Sequence, residues 1–124
     1  MKIISRMALA FIALSSSHAY AAESAFDLVC KGKSGQQLQF RFDLAQKKWC
    51  IENCQSVWAI STLDDALIEL VMYSSDGSND NNWTIKINRY TGTFAAIRRG
   101  YGSKPKDTGN CIAKPFSGFP GKKF

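Results

Sequence analysis

The sequence predicts an all-β fold: a small antiparallel β-barrel or sandwich of about seven or eight short strands, stapled by disulfides. Three observations predict it. Apolar and polar residues alternate with a period of two in several segments, and turn-forming residues separate those segments at intervals of about 8–12 residues. In addition, four cysteines lie within residues 22–124 and can form the disulfides.

A signal peptide is predicted over residues 1–21, followed by a single β domain over residues 22–124. Two basic residues precede the apolar run Met7–Leu14, and residues 19–21 read Ala-Tyr-Ala, a small-x-small sequence that signal peptidase accepts. The apolar run is far shorter than the roughly 20 residues that cross a bilayer. We therefore expect an exported chain, periplasmic or secreted, with no transmembrane segment after signal cleavage.

The first two strands are predicted at about Phe26–Lys31 and in the segment QQLQFRFDL, with the turn KGKSGQ between them. In the second segment polar residues alternate with four apolar ones, Leu38, Phe40, Phe42 and Leu44. This alternation indicates a strand with one buried face.

The next strands are predicted in ALIELVMY and NWTIKINR. The first run is almost continuously apolar, which favours a central strand, although the preceding Asp64-Asp65 would also suit the start of a helix. In the second run Trp83, Ile85 and Ile87 alternate with polar residues. The segment NRYTGTF then reads as a tight hairpin in which Gly92 supplies a positive φ.

The C-terminal segment PFSGFPGKKF has no strand pattern. We expect its Phe116 and Phe119 to fold over an open end of the core.

Cysteine spacing favours two disulfides over a metal site or a redox centre. A local bridge from Cys50 to Cys54 would close a small loop, and a bridge from Cys30 to Cys111 would tie the first strand to the last. Pairing of Cys30 with Cys50 or Cys54 stays open, as does a zinc site made of all four thiolates. A thioredoxin-type centre has two residues between its cysteines, whereas WCIENC has three.

The residue inventory argues against an enzyme. The single histidine, His18, lies in the predicted signal peptide, so the mature chain has no histidine for a general base, a Ser-His-Asp triad or a zinc ligand. The densest carboxylates, Asp64, Asp65 and Glu69, are expected to be solvated turn residues, and no cofactor is expected. An enzyme that uses carboxylates or a Ser-Lys pair remains the weaker alternative.

Charge is unevenly distributed along the chain. The formal charge of +6 falls to +4 once Lys2 and Arg6 are removed with the signal peptide. Residues 22–85 contain 5 basic and 9 acidic residues, whereas residues 86–124 contain 9 basic residues and only Asp107. The basic C-terminal half favours anionic partners.

Two polar segments are candidate binding elements. The segment IRRGYGSKPK places Arg98, Arg99 and Lys104 around Tyr101, and cations beside an aromatic ring suit anionic glycan or lipid headgroups. A polar loop on a rigid sheet also suits insertion into a partner's cleft. The segment YSSDGSNDNNW provides such a loop, with the candidate residues Ser74, Ser75, Asp76 and Asn79.

Three stretches of the chain, FDLVCKGKSGQQLQFRFD, INRYTGTF and GNCIAKPF, resemble small uncharacterised periplasmic proteins of proteobacteria. The two ends also resemble the lysozyme-inhibitor β-barrels of the bacterial envelope, which open and close with a cysteine-containing strand. The resemblance implies a β-barrel in the envelope.

From these patterns we expect an exported, non-catalytic binding or inhibitor module of the bacterial envelope, with a protein partner or an anionic envelope component. The alternative is an envelope-associated protein that binds anionic polymer or membrane surface through its basic C-terminal half. Nucleic acid is not an expected partner.

Overall fold

The structure is a computed structural model that describes residues 24–73, 82–100, 102 and 104–121. The predicted signal peptide lies outside the described residues. The described part of the chain contains nine strands: β1 (Ala25–Gly32), β2 (Gln37–Asp43), β3 (Lys48–Ile51), β4 (Trp58–Ala59), β5 (Thr62–Leu63), β6 (Leu67–Met72), β7 (Trp83–Asn88), β8 (Thr93–Arg98) and β9 (Asp107–Pro115).

All nine strands belong to one antiparallel sheet that curls into a half-barrel. Their order is β4-β3-β2-β1-β9-β8-β7-β6-β5, so the first long strand and the last lie side by side in the middle. The two edges are β4 and β5, which have only two residues each. Edges this short offer little backbone for pairing with another chain.

The inner face of the half-barrel carries the hydrophobic core. Period-two alternation directs one face of every long strand inward, as the sequence predicts. The largest fully buried side chains include Trp49, Phe40, Phe42, Ile68, Leu70 and Ile85. Leu38, Leu44 and Trp83 pack against this cluster from its margins.

The all-β prediction is confirmed, and the structure decides between its two forms. A single curled sheet replaces the sandwich alternative. The strand count is nine rather than seven or eight, because β4 and β5 are too short to show alternation. The run ALIELVMY forms the strand β6 and not a helix. Gly92 has a φ of 71° in the hairpin, as predicted.

The expected position of the C-terminal segment is wrong. Ser117 and Gly118 do not close an open end of the core but lie on the outer face of β1 and β2. There Ser117 binds Asp27, and the Arg41 guanidinium donates to the Gly118 carbonyl oxygen at 2.8 Å. Phe116 and Phe119 contact each other edge to face with ring centroids 5.2 Å apart. The physical reason is that Asp27 and Arg41, on the outer face of β1 and β2, bind Ser117 and Gly118 by hydrogen bonds.

Two disulfides join Cys30 to Cys111 and Cys50 to Cys54. Cys30 and Cys111 are directly opposite one another on β1 and β9, so the first bridge reinforces the central strand pair. The zinc alternative and the crossed pairings are therefore wrong. Two disulfides in a small chain are typical of an oxidising, extracellular compartment. Among the described residues no helix is long and apolar enough to cross a membrane.

Candidate binding surface at the loop end

The half-barrel has two distinct ends. At the first, which we name the loop end, β6 and β8 finish and β7 and β9 begin. The other, the hairpin end, contains the tight turn between β7 and β8 and the start of β1. Because β6, β7, β8 and β9 are neighbours in the sheet, their strand ends at the loop end lie side by side.

Strand register brings the described ends of the two predicted binding segments together at the loop end. Met72 is opposite Trp83, and Trp83 is opposite Arg98, so the last pairs of β6, β7 and β8 form one row. Beyond this row the Arg99 backbone N–H donates to the Asn82 carbonyl oxygen at 2.9 Å. The start of the basic segment is thus held against the end of the polar segment that precedes β7.

A carboxylate fixes the turn between β1 and β2 to the same end. Asp107 accepts a hydrogen bond from the Ser34 hydroxyl at 2.7 Å and from the Ser34 backbone N–H at 3.2 Å. The Thr108 N–H also donates to it at 3.1 Å. The Ser34 hydroxyl is the main reason that the pKa of Asp107 lies below its ordinary value. The carboxylate therefore stays ionised at neutral pH and anchors the turn.

Inside these contacts the half-barrel opens in a pocket of about 370 Å³. Its walls are mostly apolar, with Leu38, Met72, Trp83 and Phe94 among them. The polar part of its lining consists of Ser34, Gln36, Lys106 and Asp107. An apolar pocket with a polar margin suits a protruding apolar side chain of a partner.

The described sequence candidates lie at this end. Arg99 and Lys104 are exposed, and Arg98 is half-buried at the end of β8. Tyr73, which directly follows β6, has 74% of its surface exposed. The other candidates, Ser74, Ser75, Asp76, Asn79 and Tyr101, lie outside the described residues.

The basic C-terminal half does not form one patch. Arg98, Arg99 and Lys104 are at the loop end, whereas Lys86 is on the outer face of β7, opposite Glu69 of β6. Lys114 lies toward the other end of β9, opposite Asp27 of β1. Of the described cations in residues 86–124, Arg98, Arg99 and Lys104 therefore lie at the loop end, and Lys86 and Lys114 lie elsewhere on the sheet.

The clustered carboxylates are arranged as a turn rather than as an acid pair. One carboxylate oxygen of Asp64 accepts the backbone N–H groups of Ala66 and Leu67, both at 2.8 Å. These bonds fix the turn between β5 and β6. Glu69 lies on β6, away from this turn. In the part of the chain that the structure describes, no group of three or more His, Cys, Asp or Glu side chains could hold a metal ion.

Sequence reasoning did not identify Ser34 or Asp107 as part of this end. Asp107 carries one signal, since it is the single acidic residue among residues 86–124. Its contact with Ser34 links positions 73 residues apart, which only the strand order brings together. Comparison of the chain with protein-family models, curated proteins and solved structures finds no match.

Proposed function

We propose that the protein is an exported, non-catalytic binding module of the bacterial envelope that takes a protein partner at its loop end. One observation carries the proposal: the Arg99–Asn82 hydrogen bond joins the described ends of two connections of the sheet. Tyr73, Arg99 and Lys104 at the same end are exposed. Aromatic residues and arginine are enriched where protein interfaces gain most of their binding energy.

The pocket of about 370 Å³ supports the same proposal, because it offers a place for an apolar anchor from the partner. Lys106 and the ionised Asp107 both line it, so a partner that brings polar or charged groups of complementary sign suits this end. The inhibitor form of the proposal rests on the resemblance of both chain ends to lysozyme-inhibitor barrels. In that form the partner is an enzyme whose cleft receives the loop end.

The test is a pull-down from envelope extract with residues 22–124 as bait, washed at low and then at high salt. A single protein that survives the high-salt wash is the expected result. Retention should fall at least about tenfold with Arg99→Gln/Lys104→Gln, because loss of two interface contacts of about 1 kcal/mol each gives that factor. An inhibitor would also lower the activity of a captured enzyme.

The matched control is Lys48→Gln/Lys114→Gln, which removes the same charge near the hairpin end, where both lysines are exposed. Equal retention by this variant and the wild-type protein supports a loop-end site. An equal loss in both double variants would contradict it and indicate a general charge effect.

The second candidate is binding of an anionic polymer or membrane surface. A broad groove of about 600 Å³ on the outer face favours it, since Lys33 and Lys86 line this groove together with Asn88, Thr108 and Asn110. Exposed charge contacts weaken as salt rises. Retention of polymer or lipid that disappears in the high-salt wash, and that Lys33→Gln/Lys86→Gln abolishes, would favour this function over the first.

A further inference from the structure

At the hairpin end the half-barrel opens into a second pocket, of about 270 Å³. Its walls are side chains on the inner face of the sheet. They come from strands that are far apart in the strand order, and the curl of the sheet brings them together. Five of them are apolar: Phe26 and Leu28 of β1, Ile68 of β6, Ile87 of β7 and Ala113 of β9. Phe26, Leu28, Ile68 and Ile87 also belong to the buried core, so the floor of the pocket is part of the packed core.

Hydrogen bonds within the turn between β7 and β8, and from it to β9, preform the rim of the pocket. The Asn88 side-chain oxygen accepts the N–H groups of Tyr90 and Thr91 at 2.9 and 3.0 Å. The Gly92 N–H donates to the Asn88 carbonyl oxygen, and the Cys111 N–H donates to the Gly92 carbonyl oxygen at 2.7 Å. The turn is thus bound to β9, and the mouth needs no ordering when a ligand enters.

The rim carries a cation. Arg89 lines the pocket and is half-buried, and one of its guanidinium nitrogens donates to the Asp64 carbonyl oxygen at 2.6 Å. This bond fixes the position of the guanidinium at the turn between β5 and β6. The Asp64 carboxylate accepts the N–H groups of its own turn. The pocket at the loop end differs, because a carboxylate, that of Asp107, lines it together with Lys106.

We propose that the hairpin-end pocket binds a small amphipathic anion, a single medium-length alkyl chain or an aromatic ring that ends in a carboxylate. The apolar walls receive the body of the ligand, and Arg89 binds its carboxylate. A dry cavity of about 150 Å³ already holds benzene. The pocket is nearly twice that size, which fits one chain and not a two-chain lipid. The proposal does not depend on the loop-end function, since it uses the opposite end of the half-barrel.

Methyl NMR of residues 22–124 titrated with decanoate tests the site directly. Saturable shifts are expected at the methyl groups of Leu28, Ile68 and Ile87, while those of Leu38 and Met72 at the loop end stay in place. Absence of saturable shifts, or shifts confined to Leu38 and Met72, would overturn the proposal. Either result would leave the loop-end function untouched, because the pull-down reports on different residues.

Two variants separate the roles of wall and rim. Ala113→Leu fills the pocket and should weaken decanoate binding at least tenfold. Its matched control is Ala95→Leu on the outer face of β8, which should leave binding unchanged. Arg89→Gln should weaken decanoate binding at least fivefold and leave decanol binding unchanged. This variant also tests the proposal if Ala113→Leu does not fold. Unchanged decanoate affinity in a folded Ala113→Leu or in Arg89→Gln would overturn the assignment.

Discussion

The Ser117 hydroxyl donates to the carboxylate of Asp27 at 2.6 Å, across 90 positions of the chain. The Ser117 backbone N–H donates to the same carboxylate at 3.1 Å, and the Gln39 amide donates at 3.3 Å. Asp27 is only 3% exposed, although it belongs to the outward-facing side of β1. The C-terminal segment is therefore a covering layer over the outer face, held by a buried carboxylate.

Removal of that carboxylate should release the C-terminal segment. Asp27→Ala leaves the Ser117 and Gln39 donors without their acceptor, so we expect a loss of about 1–3 kcal/mol in the free energy of unfolding. Urea denaturation measures the loss, and hydrogen exchange of residues 116–121 reports the release. Ser117→Ala removes only the hydroxyl and should cost less. Unchanged stability together with a protected segment in Asp27→Ala would show that other contacts hold it.

The two disulfides should differ in their contributions to stability. In the chain-entropy model the Cys30–Cys111 bridge, with a sequence separation of 81, contributes about 4.5 kcal/mol. The Cys50–Cys54 bridge, with a separation of 4, contributes about 2 kcal/mol. Urea unfolding of the two double alanine variants measures both. A larger loss from the shorter bridge would contradict the model.

Close approach of β1 and β9 requires glycine at position 109. A Cβ there would overlap the Lys31 carbonyl oxygen and the Gly32 Cα, which are backbone atoms that cannot turn away. Gly109→Ala should therefore cost about 1–3 kcal/mol through overpacking. Gly121→Ala is the control, because a Cβ at Gly121 meets nothing within 4 Å and its effect should stay within about 0.5 kcal/mol. Thermal unfolding of the two variants measures the difference. Equal melting temperatures of Gly109→Ala and Gly121→Ala would contradict the requirement for glycine at position 109.

Asp107 makes stability depend on pH. Its pKa is lower in the folded protein than its ordinary value, chiefly because the Ser34 hydroxyl donates to the carboxylate. The stabilisation is therefore complete above the unfolded pKa of about 3.9 and disappears as the pH falls through the lower folded pKa. The stability difference between wild-type protein and Asp107→Asn should be constant from about pH 6 to 8 and shrink below about pH 4. Ser34→Ala should raise the pKa of Asp107 in an NMR titration. An unchanged pKa of Asp107 in Ser34→Ala would show that the Ser34 hydroxyl does not lower it.

The alternation of apolar and polar residues was enough to predict the class of fold and most of the long strands. The alternation of Leu38, Phe40 and Phe42 defines a buried face without any knowledge of the partner strand. The favoured bridge from Cys30 to Cys111 followed from joining the first and last cysteine-containing strands. In contrast, β4 and β5 have two residues each and therefore no detectable period.

Contacts between distant positions were beyond sequence reasoning. Alternation places Asp27 on the polar side of β1, and nothing local indicates that Ser117 returns to cover it. The Arg99–Asn82 contact needed the strand order, and the hairpin-end pocket needed the curl that brings Ile68 toward Phe26. The roles of the described candidates Arg99 and Lys104 remain predictions.

Hydrogen–deuterium exchange of residues 22–124, alone and with the protein retained in the pull-down, tests binding at the loop end most directly. Slower exchange is expected at residues 33–36, 72–73 and 97–99 upon binding, with residues 88–92 at the hairpin end unchanged. Protection confined to residues 88–92, or no change anywhere in the presence of a retained protein, would contradict it.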